Sequence, residues 1–274
     1  MPLTHAQLDA GDEAVYGGLT FGVKHISSFA ARRSLLTALI KSIRAAGHAT
    51  QPILVAYDGD YRYARTGPLG ERYLEVSEPR GLSAGRNAIA RHVTTEFVMI
   101  MDDDVLFHAE THVGTLLAHM LRDPALGLVA ACYHPSDCYA HNLTINRRRI
   151  KSTPVLPAQQ GLTRAHLVHN LFLARSSVLR ANPWDERQRL MEHETFFAKL
   201  VIRGVAVGLD PSVTAIHQHY LRTEEYNAQR HVESTYLQYL CRNFPRLSDW
   251  QMPCMPSATQ TSTPLVGAHS EHSD

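Results

Sequence analysis

The sequence predicts an α/β protein whose N-terminal half is a doubly wound, Rossmann-like sheet. Short apolar runs alternate along the chain with segments of helical period, which is the pattern of a parallel sheet covered by helices. The runs are continuous rather than alternating, as expected of strands buried on both faces. The clearest is Phe97-Val98-Met99-Ile100-Met101, and it leads directly into Asp102-Asp103-Asp104. We call these three acids the acid cluster.

The first half supplies the predicted elements in the order that such a sheet requires. They are strands at 19–24, 52–57, 72–76 and 97–101, with helices at 29–45 and 84–93. The first helix places Leu36, Leu39 and Ile43 on one face and ends before Gly47. A glycine-bearing turn, 81–87, precedes the second helix.

The second half continues with helices and shorter strands. We predict helices at 108–122, 176–181, 190–203 and 231–243, strands at 128–132 and 169–174, and two short strands, 205–209 and 213–217, around an Asp210-Pro211 turn. Residues 133–160 have no clear period. The segment 250–274 is rich in Ser, Thr, Pro and His and is predicted to be a disordered tail.

Composition excludes several classes of protein. The 274 residues carry a net charge of +1 without a long basic run, which argues against nucleic-acid binding. No apolar stretch reaches the roughly 18 residues of a transmembrane helix, and residues 1–20 lack the apolar core of a signal peptide. The four cysteines form no CxxC pair, so we expect reduced thiols in a cytosolic protein. They are Cys132, Cys138, Cys241 and Cys254.

The acid cluster is the strongest chemical signal. Three carboxylates at the end of a buried strand repel one another and resist burial, and clustered hard oxygens suit Mg²⁺ or Mn²⁺. On the residues alone, a solvated acidic turn that caps the next helix is the alternative. Asp58 and Arg86 also follow predicted strands, and in a parallel sheet these ends share one edge. Such a set suits a nucleoside diphosphate, although the turn at 81–87 is neither a GK[ST] loop nor a GxGxxG dinucleotide motif.

An ordered series of blocks resembles the nucleotide-binding half of GT-A fold glycosyltransferases. The blocks are KHISSFAARRSLLTALIKSI (24–43), ILVAYDGD (53–60), GLSAGRNAIARHVTTEFVMIMDDDVLF (81–107), HNLFLARSSVLRANPWDERQRLMEHETFF (169–197) and DPSVTAIHQH (210–219). Within these enzymes the sequence is most similar to the family-two type and to the β-1,4-N-acetylgalactosaminyltransferases. The resemblance implies a Rossmann-like nucleotide-binding sheet with helices on both faces and a contiguous acceptor-binding part.

The resemblance also implies roles for the acids at the sheet edge. Asp58 would contact the uracil and Arg86 the nucleotide. Asp102 would touch ribose or metal, and Asp104 would bind the metal between the donor phosphates, as in a DXD motif. Asp103 is the middle, variable position, and we group it with the nucleotide-sugar-binding residues.

In family-two enzymes an Asp within an "ED" pair just before a helix is the catalytic base. The apolar anchor Phe197 aligns Glu194 with that position, with His193 in place of the usual Glu and Glu192 as the alternative base. On the residues alone, Glu192 and Glu194 could simply be an acidic first turn that favours the helix dipole.

Further positions follow from the same resemblance. His217 would be the late metal-binding histidine, with His219 as its fallback, and Trp184 would stack on a sugar face. Taken alone, each could equally be structural. Tyr133 could line the acceptor site or pack, and the run Arg147-Arg148-Arg149 could be a solvated loop or an acceptor contact.

These inferences predict a metal-dependent, inverting glycosyltransferase that uses Mn²⁺ or Mg²⁺. It would move a sugar from a UDP-sugar to a hydroxyl of a glycan or glycolipid, with N-acetylgalactosamine favoured and N-acetylglucosamine, galactose or glucose open. We divide the chain into a lead-in (1–18), a nucleotide-sugar-binding half (19–130), an acceptor-binding and catalytic half (131–249) and the tail. A cytoplasmic enzyme of polysaccharide biosynthesis, or one associated peripherally with the inner face of a membrane, fits this interpretation.

Two other classes stay open. A nucleotidyltransferase that makes a nucleotide-sugar could share the sheet and the acids. The segment after the first strand, His25-Ile26-Ser27-Ser28-Phe29, lacks the basic glycine-rich loop that such enzymes use to hold a triphosphate. A non-catalytic nucleotide- or sugar-binding protein on the same scaffold is the third possibility, against which the acid at Glu194 argues.

Overall fold

The computed structural model describes residues 18–78, 80–145, 150–159, 161–188 and 192–218. Several predictions fall outside these ranges. They are most of the lead-in, the run at 147–149, His219, the helix at 231–243 and the tail at 250–274.

An eight-stranded sheet with helices on both faces forms the body of the protein. The strands are β1 (Leu19–Ile26), β2 (Ile53–Asp58), β3 (Arg72–Glu75), β4 (Phe97–Asp102), β5 (Val105–Leu106), β6 (Leu126–Cys132), β7 (Ala140–Ile145), β8 (Ile150–Pro154), β9 (Thr163–Ala165), β10 (Leu167–Val168), β11 (Phe172–Arg175), β12 (Ala206–Thr214) and β13 (Ile216–His217). The helices are α1 (Ala30–Ala45), α2 (Leu82–His92), α3 (Val113–Arg122), α4 (Ser176–Ala181) and α5 (Glu192–Ile202).

The strand order of the large sheet is β3-β2-β1-β4-β11-β6-β12-β9. Strands β3, β2, β1 and β4 are parallel, as predicted for the first half. Strand β11 enters between β4 and β6 and is antiparallel to both, while β12 is parallel to β6. The predicted α/β class is therefore confirmed, and the second half makes the sheet mixed. Two small sheets, β10-β7-β8 and β13-β5, complete the described part.

The core consists of two apolar layers, one on each face of the sheet. Helices α1 and α3 pack on one face with the outward residues of β1 and β4, and α2, α4 and α5 pack on the other. Gly22 of β1 allows α2 to approach, since a Cβ at this position would lie 2.6 Å from the Ile89 side chain. This close contact fixes α2, and with it Arg86, over the carboxyl ends of the strands.

Most predicted bounds lie close to those observed, and three predictions are wrong. The helix expected at 108–122 begins only at Val113. The Thr111 hydroxyl holds the preceding segment in a turn, because it accepts a hydrogen bond from the His108 amide and donates one to the Thr214 carbonyl. The Asp210-Pro211 turn is not a turn. It lies inside β12, whose register shifts between Leu209 and Thr214, and this irregularity accommodates a proline without an N–H.

The third difference is a β-hairpin, β7–β8, in the segment 133–160 where no element was predicted. In β7 the buried side chains are those of Ala140, His141 and Leu143, so apolar and polar residues do not alternate cleanly. A half-polar strand of this kind gives little periodic signal.

The expectation of reduced cysteines is wrong for two of the four. Cys132, the last residue of β6, forms a disulfide with Cys138, and their Cα atoms lie 4.7 Å apart. The loop between them turns back within hydrogen-bonding distance, because the Tyr133 amide donates to the Asp137 carbonyl at 3.2 Å. The cysteines therefore no longer support a cytoplasmic location, which stays a prediction. Within the described ranges, no helix is long and apolar enough to cross a bilayer.

Candidate active site

The carboxyl ends of β1, β2 and β4 lie side by side and hold the predicted acids at one edge. In the register of the sheet, Ile26 pairs with Asp58 and Lys24 with Asp102. Lys24 is buried and its Nζ lies 2.9 Å from Asp58 Oδ1. The other Asp58 oxygen accepts from the Gly81 amide at 2.7 Å. Gly81 has a φ of 121°, which only glycine adopts readily, and this conformation points its amide at Asp58 at the start of α2. Asp58, the predicted uracil contact, thus joins β2 to α2.

Each residue of the acid cluster pairs with at least one basic side chain, and Arg32 is shared by two of them. Asp102 accepts from Arg86 at 2.9 Å, and its side chain is 26% exposed. Asp103 is fully buried and pairs with His25 Nδ1 at 2.5 Å and with Arg32. This position turns Asp103 into the interior, so it does not support the nucleotide-sugar-binding role predicted for that residue.

Asp104 lies between a guanidinium and an imidazole. Arg32 Nη1 donates to Asp104 Oδ2 at 2.8 Å, and His217 Nε2 lies 3.3 Å from Asp104 Oδ1. Burial acts to raise the pKa of Asp104, but the hydrogen bond from His217 and the charge of Arg32 outweigh it and hold the pKa below the ordinary range. Asp104 is therefore ionised at neutral pH.

Strand β13 explains why His217 meets Asp104 across more than a hundred residues. His217 pairs with Val105 of β5, and the Gln218 amide donates to the Asp104 carbonyl at 2.8 Å. The Tyr133 ring stacks on the imidazole with the centroids 4.2 Å apart. The two residues predicted as metal ligands are thus neighbours, each held by backbone pairing.

The residues fit a small divalent ion of octahedral geometry. Two ligands in adjacent octahedral positions around Mg²⁺ lie about 3 Å apart, close to the 3.3 Å between His217 Nε2 and Asp104 Oδ1. Among the described residues, no group of three or more His, Cys, Asp or Glu is placed to hold a metal. Mg²⁺ is commonly bound through one or two protein ligands with substrate phosphates and water completing its shell.

Arg86 is a fully buried residue that links the acid cluster to α5. Its guanidinium forms ion pairs with Asp102 and with Glu192, which is itself 3% exposed. Burial lowers the pKa of Arg86, but the two carboxylates more than offset this and raise it above its ordinary value. Arg86, predicted to contact the nucleotide, is fully buried, and its two ion pairs are with carboxylates of the chain itself.

The two candidate bases occupy different environments. Glu192 forms an ion pair with Arg86, whereas no ion pair of Glu194 is found among the described residues. Burial, with a smaller contribution from the Glu192 charge, raises the pKa of Glu194 to about 7. His193 between them has a pKa lowered to about 3, chiefly by burial and also by Arg86, so it is neutral, and its Nδ1 lies 2.7 Å from Asn170 Oδ1. Glu194 therefore has the proton affinity that suits a general base near neutral pH.

Trp184 lies in the core rather than on the crevice. The side chain is 3% exposed, and its indole stacks on Phe196 with the ring centroids 4.0 Å apart. The Trp184 backbone also bonds to Asn87 on α2. A sugar needs an exposed aromatic face, so this position does not support the predicted stacking role.

The sequence reasoning missed Arg32 and His25, which neutralise the acids from the side of β1 and α1. A signal for Arg32 was present, because it lies four residues before Leu36 on the buried face of an otherwise apolar helix surface. His25 lies near the end of β1, and its Nε2 lies 2.9 Å from the Tyr63 hydroxyl. Both residues lie in the block 24–43 that carries the resemblance, but neither was assigned a role there.

A cleft of about 520 Å³ lies at the outer edge of the sheet, between β3 and the outer side of α2. Tyr73, Glu75, Ala84 and Glu186 are among its lining residues. The acid cluster does not line it, so the cleft is distinct from the crevice at Asp104.

Comparison with known proteins bears on the family and the fold of this chain. Residues 31–182 match glycosyl transferase family 2. Human beta-1,4 N-acetylgalactosaminyltransferase 1 is 31% identical over 183 residues, which is 61% of this chain and 33% of that protein. Mouse beta-1,4 N-acetylgalactosaminyltransferase 2 is 29% identical over 154 residues, 53% of this chain and 30% of that protein. The match therefore spans about a third of the length of these relatives.

A solved structure supports the fold. The mannosyltransferase PcManGT from Pyrobaculum calidifontis, in complex with GDP-Man and Mn²⁺, superposes with a TM-score of 0.54 over 86% of this chain and 66% of that chain, at 18% identity. Because residues 31–182 make up more than half of the 274 residues, the chain belongs to glycosyl transferase family 2, and it has the GT-A fold that its sequence predicted.

Proposed function

We propose that this protein is an inverting, metal-dependent glycosyltransferase that moves a sugar from a UDP-sugar to a hydroxyl of a glycan or glycolipid. Family membership supports sugar transfer, and the relatives named as N-acetylgalactosaminyltransferases favour N-acetylgalactosamine as the donor sugar. The related fold of a mannosyltransferase bound to GDP-Man and Mn²⁺ supports a nucleotide-sugar with a divalent ion.

Asp104 and His217 would hold the divalent ion, Mn²⁺ or Mg²⁺, with Asp102 facing the donor. When bound, the ion would neutralise charge on the departing diphosphate. Four carboxylates (Asp102, Asp103, Asp104 and Glu192) face two guanidiniums (Arg32 and Arg86), which leaves a formal charge of −2 when the histidines are neutral. A site with this residual charge favours a divalent cation over a free diphosphate.

Glu194 would act as the base. It accepts the proton of the acceptor hydroxyl while that oxygen bonds to the anomeric carbon and the bond from this carbon to the diphosphate breaks. Attack opposite the leaving group inverts the anomeric centre. The link from Asp102 through Arg86 to Glu192, two residues before Glu194, supports a position for this base near the acid cluster.

The observation that carries this proposal is that Asp104 and Glu194 have different environments, each suited to its proposed role. An ionised Asp104 lies 3.3 Å from His217, and a partly buried Glu194 has a pKa of about 7 on the adjoining helix. A solvated acidic turn would not bury Asp103 and Asp104 or pair both of them with the buried guanidinium of Arg32. The acid cluster is therefore built into the interior.

A panel of UDP-sugars with Mn²⁺ or Mg²⁺ tests the proposal by UDP release and thermal stabilisation. We expect one UDP-sugar to be turned over with a glycan acceptor, Asp104→Asn to abolish turnover and ion binding, and Glu194→Gln to abolish turnover while keeping donor binding. Donor binding without turnover under any condition would indicate the binding-protein alternative. Pyrophosphate release from UTP and a sugar phosphate would indicate a nucleotidyltransferase.

A further inference from the structure

Arg32 holds one oxygen of Asp104 and leaves the other for His217. Its Nη1 donates to Asp104 Oδ2 at 2.8 Å, while its Nη2 contacts Asp103. The opposite oxygen, Oδ1, lies 3.3 Å from His217 Nε2. The carboxylate of Asp104 is thus fixed at both oxygens, by different partners on opposite sides.

The position of Arg32 is itself rigid. Its side chain is 9% exposed and lies in the first turn of α1, on the same face as Leu36, Leu39 and Ile43, which are fully or almost fully buried. Asp103, the second acid that it contacts, is also held by His25. A planar guanidinium that spans two buried carboxylates has little freedom to release one of them.

This restraint has a consequence for metal coordination. An ion that approaches between Asp104 and His217 meets Oδ1 only, because Oδ2 is bound to Arg32. Mg²⁺ and Mn²⁺ accept a single carboxylate oxygen within an octahedral shell, whereas Ca²⁺ takes six to eight oxygens and readily uses both oxygens of one carboxylate.

We propose that Arg32 is a specificity-determining residue that restricts Asp104 to one-oxygen coordination and so selects small octahedral ions against Ca²⁺. The proposal rests on the metal site of the proposed function. It assigns to Arg32 a role in positioning Asp104, and not in contacting the sugar donor.

The test is the ratio of Ca²⁺ to Mn²⁺ affinity, measured without nucleotide by calorimetry and by Mn²⁺ electron paramagnetic resonance with Ca²⁺ competition. In Arg32→Gln, a single short amide cannot hold Asp103 and Asp104 together, so Oδ2 becomes available. We expect the preference for Mn²⁺ over Ca²⁺ to fall at least fivefold. Arg33→Gln is the matched control, because Arg33 is the next residue of α1 and donates to the Ser27 and Ser28 carbonyls instead. Its ratio should equal that of the wild type.

The outcomes separate the causes. Loss of a positive charge alone would tighten the binding of Mn²⁺ and of Ca²⁺ equally. A general loss of structure would weaken the binding of both ions. An unchanged ratio of Ca²⁺ to Mn²⁺ affinity in Arg32→Gln therefore overturns the proposal. If Arg32→Gln does not fold, Arg32→Lys serves the same purpose, since one ammonium keeps the charge but cannot fork to two carboxylates. The preference of this variant for Mn²⁺ over Ca²⁺ should also fall. The variant Asp104→Asn tests the metal site itself. If that variant binds Mn²⁺ as tightly as the wild type, the metal site is refuted, and the Arg32 proposal with it.

Discussion

Replacing Glu194 by glutamine should stabilise the protein at alkaline pH while it abolishes sugar transfer. The carboxyl group has a pKa of about 7, raised from 4.5 first by burial and second by the charge of Glu192. A group whose pKa is raised on folding stabilises the native state when it is protonated, and this contribution is lost as the pH rises through the folded pKa. Glutamine keeps the shape of the protonated acid and cannot ionise.

The size of the effect follows from the two pKa values. Between about pH 5 and about pH 8.5, ionisation of Glu194 should lower the free energy of unfolding by roughly 2 to 3 kcal/mol relative to a neutral side chain. The loss begins above the unfolded value near 4.5 and is complete above the folded value near 7. Such a change is a large part of the stability of an ordinary domain.

The assay is urea unfolding of the wild type and of Glu194→Gln at the two pH values. The quantity of interest is the difference between the two proteins at each pH, because other titrating groups contribute equally to both. We expect this difference to grow by roughly 2 to 3 kcal/mol in favour of the variant from low to high pH. Donor turnover should fall about a thousandfold, as expected for loss of a general base.

Glu192→Gln is the matched comparison, two residues away in the same turn. Glu192 is 3% exposed and neutralises Arg86, so its loss should destabilise the protein by roughly 2 kcal/mol at both pH values. If Glu194→Gln gained no stability at high pH, or if both variants shifted alike, the distinction drawn between these two glutamates would be refuted.

Three further predictions test other parts of the site. The kcat/KM of the wild type should fall as the pH drops below about 7, because Glu194 becomes protonated, and a pH–rate profile checks this. Arg86→Met should lower the free energy of unfolding by roughly 3 kcal/mol or more, since it leaves two carboxylates without their cation, and urea denaturation measures it. Reduction of the Cys132–Cys138 disulfide, or replacement of both cysteines by serine, should lower the free energy of unfolding by about 2 kcal/mol. It should also weaken Mn²⁺ binding at His217, because the loop closed by the disulfide begins with Tyr133, whose ring stacks on the His217 imidazole.

The parallel half of the sheet could be read from the sequence because its signals are local. Continuous apolar runs such as 97–101 mark strands buried on both faces, and their carboxyl ends meet at one edge in any parallel sheet. That rule alone brings Asp58 and Asp102 together. The resemblance to known glycosyltransferases added His217, which lies beside Asp104 through the pairing of β13 with β5.

The features that escaped prediction depend on contacts between distant parts of the chain. Strand β11 enters the sheet between β4 and β6, and no local pattern gives a strand order. Arg32 and His25 reach Asp103 from more than seventy residues away. Trp184 is aromatic and lies near the catalytic segment in sequence, but whether such a ring is buried depends on Phe196 across the core.

Arg86 gives the two acids in the first turn of α5 different environments. The helix dipole favours a negatively charged residue at either position of this first turn. The buried guanidinium of Arg86 contacts Glu192, which makes this residue the structural acid of the turn. Arg86 therefore neutralises Glu192. The other carboxyl of the turn, that of Glu194, is partly buried near the Glu192 charge and has a raised pKa. One turn thus contains both an ion-paired acid and an acid of high proton affinity, and the difference arises from which one the arginine on α2 can reach.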